Sequence, residues 1–171
     1  MRKLFSILTV LLFSAVGFAD IESKHDRFRD TTKISTNITK LALEYNCREQ
    51  PRLHLMMTFT GKIMPKTKPE VQMMFVSKAE DWQYLNCHFT DMLIDGKPLK
   101  ISETRHDGSV ISADTIMEYI MTSVSWKEFC KMAIGKKIEV KICNTEFILS
   151  TREMKDISEF HRIAKEWRSY L

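Results

Sequence analysis

Glycine and proline are scarce, with five and four in 171 residues. That excludes flexible Gly- or Pro-rich linkers, and neither a repeat nor a low-complexity tract is visible. A single domain is the reading. Catalytic signatures are missing too. There is no G-x-S-x-G. The only Cys with a His close to it in sequence is Cys87, next to His88, and adjacent residues of a strand face opposite ways. His25, His54, His88, His106 and His161 are scattered, with neither H-x-H nor H-E-x-x-H spacing. The four cysteines stand 40, 43 and 13 residues apart, without the close pair that structural zinc needs. Nothing in the pattern makes Glu80, Asp81 and Asp91 converge for acid–base work. No dense basic run interleaved with aromatics points to nucleic acid. No catalytic residue, resident metal or cofactor is expected.

What is present begins with an export signal. Arg2 and Lys3 precede an apolar run, Leu4 to Val16, and Gly17-Phe18-Ala19 sets small residues where a signal peptidase cuts. The uncharged stretch from Leu4 to Ala19 is 16 residues, short of a membrane span. No Cys follows it to carry a lipid anchor. The reading is a signal over 1–19 and a mature chain over 20–171, periplasmic or secreted and not an integral membrane protein after cleavage. The signal takes two of the 26 basic residues and none of the 22 acids, which leaves a net charge of +2. Residues 20–31, with alternating charges from Lys24 to Asp30, read as a mobile lead-in. Asn37-Ile38-Thr39 is a glycosylation sequon, informative only in a eukaryote.

Export turns Cys47, Cys87, Cys130 and Cys143 into disulfide candidates. Of the three connectivities, Cys47–Cys87 with Cys130–Cys143 is preferred, because short local loops close most easily.

The middle of the chain alternates with period two. Leu53, Leu55, Met57 and Phe59 share one face of a strand, and Val71, Met73 and Phe75 share one face of another. Gly61 to Pro69 reads as an exposed loop between them. A strand is expected from about Trp82 to Ile94, with Cys87 on the face of Leu85, Phe89 and Leu93. Asp95-Gly96 is then a hairpin turn, followed by a return strand holding Leu99 and Ile101. Asp107-Gly108 offers a second such turn before a strand over about 115–124. Ser125-Trp126-Lys127-Glu128 is a capping box, opening a helix with Trp126, Phe129, Cys130 and Ala133 on one face. Gly135 would end it in the left-handed conformation. Lys137 to Cys143 alternates again. A turn at Asn144-Thr145 would set Ile142 opposite Phe147. Ser150 to Glu153 is a second capping box, and a helix follows with Met154, Ile157, Phe160, Ile163, Ala164, Trp167 and Leu171 on its apolar face.

The expected fold is mainly β (α+β): an antiparallel sandwich or twisted meander, with a short internal helix and an amphipathic C-terminal helix. Three function classes follow. The first is an exported, non-catalytic binding or accessory protein, contacting another protein or an apolar small molecule through the outward residues His54, Met56, Gln72 and Met74. The second is a carrier of an apolar ligand held between sheet and C-terminal helix by Met57, Met73, Phe75, Phe160 and Trp167. The third is an enzyme or metal protein. Within it, Met56 beside His54 suits Cu(I), although spaced repeats such as M-x-x-M are absent.

Overall fold

A computed structural model describes residues 21–36, 50–87 and 89–167. The signal segment 1–19, Asp20, Cys47, His88, the sequon and Leu171 lie outside the described residues. The architecture is mainly antiparallel β in two sheets, with a short internal helix and a longer C-terminal one.

The larger sheet holds β1 (Ile21–Asp26), β2 (Thr31–Thr36), β3 (Arg52–Thr60), β4 (Val71–Ala79), β7 (Arg105–Ser112) and β8 (Thr115–Val124). Their order is β1-β2-β3-β4-β8-β7. The smaller sheet holds β5 (Thr90–Ile94), β6 (Lys97–Pro98), β9 (Ile138–Ile142) and β10 (Thr145–Ile148), in the order β10-β9-β5-β6. Helix α1 spans Trp126–Ile134, and α2 spans Thr151–Glu166. After β4 the chain therefore leaves the larger sheet, builds β5-β6, and returns as β7-β8 on the far side of β4. That crossing replaces a continuous meander. Among the described residues no helix is long and apolar enough to cross a membrane.

The period-two strands form as their side-chain alternation requires. Leu53, Leu55, Met57, Phe59, Val71, Met73 and Phe75 are all buried. They share one core with Met92, Ile138, Val140 and Ile142 of the smaller sheet and with Phe129, Met132, Ile157 and Phe160 of the helices. Phe75 meets Phe147 edge-on at 6.0 Å where the sheets face each other. Phe129 meets Phe160 at 5.7 Å where the helices do. Ser150 and Glu153 close the predicted capping box of α2. At α1, Ser125 Oγ accepts from the Glu128 amide, while the Glu128 carboxylate binds Lys131.

Six local expectations are corrected. In the stretch expected as a mobile lead-in, residues 21–26 instead form β1, paired along its whole length with β2. The strand expected from Trp82 is only Thr90–Ile94. Residues 80–87 form a loop of turns, and Leu85 and Phe89 are exposed. The return strand is only Lys97–Pro98, with Leu99 just beyond it. Asp107-Gly108 is no turn but the middle of β7, opposite Tyr119 and Glu118. Gly108 answers a different need there, since a Cβ on it would sit 2.6 Å from the Trp82 ring. Gly135 ends α1 in extended backbone, with φ −64. A Cβ there would meet Ile94 Cγ2 at 2.6 Å, so its smallness is used rather than its flexibility. The β9–β10 turn is Cys143-Asn144, with Cys143 at φ 55, and Ile142 pairs with Thr145. That two-residue slip keeps Ile142, Val140 and Phe147 on the core side, because only an odd shift would swap faces. Asp95-Gly96 turns as expected, with φ 49 and 77.

Candidate functional site

The face of the larger sheet turned away from the helices carries the other half of each alternating strand. On β3 these are His54, Met56 and Thr58, and on β4 Gln72, Met74 and Val76. On β8 they are Met117, Tyr119, Met121 and Ser123. Register makes rows of them. His54 pairs with Met74, Met74 with Met121, and Met121 with Arg105. In the next row Met56 pairs with Gln72, and Gln72 with Ser123.

A groove of about 350 Å³ lies over these two rows. His54, Met56, Gln72 and Met74, the outward residues singled out in the sequence, all line it. So do Met121, Ser123, Ser102, Glu103 and Arg105. Met56, Met74 and Met121 are half-buried, and Gln72, Glu103 and Arg105 are exposed. An apolar, sulfur-rich floor thus meets a polar rim. One end is closed by the segment after Leu99, tied to the end of β8. The Ser102 amide donates to Ser123 O at 2.8 Å, and Thr122 Oγ1 donates to Ser102 O at 2.8 Å. The Ser123 hydroxyl donates to Glu70 at 2.6 Å.

His54 forms part of the wall and is only 4% exposed. Its Nδ1 lies 2.8 Å from Thr36 Oγ1, which also accepts from the Leu55 amide at 3.0 Å. Burial, and secondarily the Lys33 ammonium, lowers its pKa to about 4, so the ring is neutral at physiological pH. Stability should follow. Between about pH 6.5 and 4 the unfolded chain takes up a proton that folded His54 refuses, so this contribution is lost as pH falls, by up to roughly 3 kcal/mol. Asp156 opposes it: desolvation raises its carboxyl to about 6, so its own penalty is relieved as pH falls. Comparing wild type with His54→Gln isolates the histidine. Urea unfolding from pH 7 to 4.5 should show a smaller acid loss in the variant, and equal slopes would refute the assignment.

A second hollow, of about 850 Å³, lies over the smaller sheet, with Asp91, Glu139, Lys141 and Glu146 in its lining. Lys141 is held by Glu146 at 2.7 Å. Leu93, Pro98, Leu99, Phe147 and Ile148 line it as well, so it is a mixed surface without converging thioethers.

The cysteines correct the preferred connectivity. Cys87 bonds Cys143, with Cα atoms 6.0 Å apart, and Cys130 has no disulfide partner among the described residues. Cys87 is exposed in its turn rather than on a strand face shared with Leu85 and Phe89. The disulfide fits an oxidising compartment. Cys130 instead meets a histidine 31 positions away, with Sγ 3.4 Å from His161 Nε2. Local spacing cannot reveal this pair, because it forms across the α1–α2 contact. Burial pushes the Cys130 thiol up, against Lys165 and Lys68, and it also lowers His161. Both shifts favour the neutral thiol and imidazole, the reverse of what an activated nucleophile needs.

Comparison with protein-family models, curated proteins and solved structures returns no match, so function is argued from the geometry of the chain itself.

Proposed function

We propose that this is an exported, non-catalytic binding protein, acting in the periplasm or outside the cell, and that the groove over β3, β4 and β8 is its ligand site. The observation that carries the reading is the convergence of Met56, Met74 and Met121 in one polar-rimmed concavity. Methionine is unbranched and polarizable, so such a floor adapts to an apolar guest, while the rim orients it. The volume is at the small end of ligand pockets and suits a few apolar side chains of a protein partner. The other carrier site considered, between sheet and C-terminal helix, has less support. Met57, Met73, Phe75, Phe160 and Trp167 are all packed into the core.

A photoreactive residue at Gln72, which is exposed in the groove, tests this in cells of the source organism. A discrete adduct is expected from position 72 and not from Thr58, on the same face of β3 but outside the groove. Met74→Arg should abolish that adduct, because it puts an unpaired guanidinium against the apolar floor. Met74 is only half-buried, so the stability cost should stay within about 1 kcal/mol. An absent adduct, or one indifferent to Met74→Arg, would sink the proposal.

A further inference from the structure

Beside its apolar floor, the groove offers donors for a metal ion. Three thioethers, from Met56, Met74 and Met121, and one imidazole, from His54, line a single concavity. They come from three neighbouring strands. His54, Met74 and Met121 are successive register partners, so each step between them is one strand spacing, about 4.8 Å. Met56 sits diagonally across from Met74 and within reach of it. Each methionine side chain has three rotatable bonds, enough for the sulfurs to meet above Met74 without moving the backbone. His54 is the rigid member. Its Nδ1 is engaged by Thr36, the kind of partner that orients a ligating ring and leaves Nε2 as its remaining nitrogen.

We propose that Met56, Met74 and Met121, together with His54, form a binding site for a soft monovalent metal ion, namely Cu(I). The set is chemically selective. All four donors are neutral, so they do little for Zn²⁺ or Ca²⁺, which favour thiolate or carboxylate. Thioethers are soft and match Cu(I), and an imidazole completes the set. Arg105 and Glu103 both stand on the rim, exposed, with opposite charges, so the rim itself adds little net charge to the site. The proposal is one of binding only. It rests on the groove being a binding site, and it adds to the apolar guest a metal ion held on the thioether floor.

The test uses the full exported chain with its free thiols alkylated, so that Cys130 cannot compete. Titrated anaerobically with Cu(I) held by a chromophoric chelator, the protein should withdraw one equivalent. Ag(I), a redox-inert stand-in, should shift the methyl signals of Met56, Met74 and Met121 and leave those of Met92 and Met132, in the core and outside the groove, in place. The double variant Met74→Leu, Met121→Leu keeps the apolar volume and removes two sulfurs. It should fold normally and bind Cu(I) at least about tenfold more weakly. No withdrawal of Cu(I), shifts at other methionines, or unchanged affinity in the leucine variant would each overturn the proposal. The leucine variant also separates this idea from the one beneath it. If wild type ignores Cu(I) while both proteins still form the adduct at position 72, the metal fails and the groove stands. If neither the ion nor the adduct is found, both fall.

Discussion

Replacing Glu118 with alanine should cost about 3–5 kcal/mol, a loss of the size expected when one member of a buried, hydrogen-bonded polar group is removed. Glu118 is 1% exposed in the middle of β8. Its Oε2 accepts from the Gln83 amide at 2.7 Å, and Oε1 accepts from the Tyr84 amide at 2.8 Å. His106 Nε2 lies 3.0 Å from Oε1. One carboxylate thus serves the backbone of the 80–87 loop and the neighbouring strand β7. Removing it leaves the buried Tyr84 amide with no acceptor, at about 1–3 kcal/mol, and the part-buried Gln83 amide without one at a smaller cost. Glutamine is nearly isosteric, yet its NH₂ would face one of those N–H groups. Glu118→Gln should therefore still lose about 2–3 kcal/mol. Denaturant unfolding measures the loss. Amide exchange at Gln83 and Tyr84 locates it, since those two should lose protection ahead of β3 and β4. If Glu118→Gln were neutral, the carboxylate would not be the anchor of the loop.

Breaking the Cys87–Cys143 bond should have an effect of similar size. The bond closes a sequence separation of 56, worth about 4 kcal/mol in the chain-entropy model. It ties the loop that leaves the larger sheet after β4 to the β9–β10 turn of the smaller one. Phe89 O accepts from the Cys143 amide at 2.9 Å beside it. Cys143→Ser should lower the unfolding free energy by that amount, whereas Cys130→Ser should change it by less than about 1 kcal/mol. Peptide mapping without reduction should recover residues 87 and 143 in one linked fragment. Recovery of Cys87 linked to Cys47 would overturn both the pairing and the expected contrast.

These two cases show where reading the chain alone stops. Short-loop closure favoured Cys130–Cys143, because entropy was the only criterion at hand. The fold instead places Cys143 in a turn beside Cys87 and sends Cys130 to His161 on α2. Glu118 looked like one more residue of a long strand. Its value comes from a loop 35 positions earlier in the chain. Gly108 was assigned to a turn and Gly135 to a left-handed helix end, yet each is needed for a near approach by Trp82 or Ile94.

The groove divides in the same way. His54, Met56, Gln72 and Met74 could be placed on one outward face because period-two alternation is a local property of β3 and β4. Met121 could not be added, because nothing local says that β8 lies beside β4 while β5 and β6 go elsewhere. The sequence by itself determined which face the residues of β3, β4 and β9 take, where α2 is capped and where the Asp95-Gly96 hairpin turns. Only the tertiary structure decided which strands are neighbours. With that it decided the third thioether, the disulfide partner and the burial of Glu118. The physical reason is range: side-chain alternation and capping act over a few residues, whereas strand order is settled by the burial of one shared core.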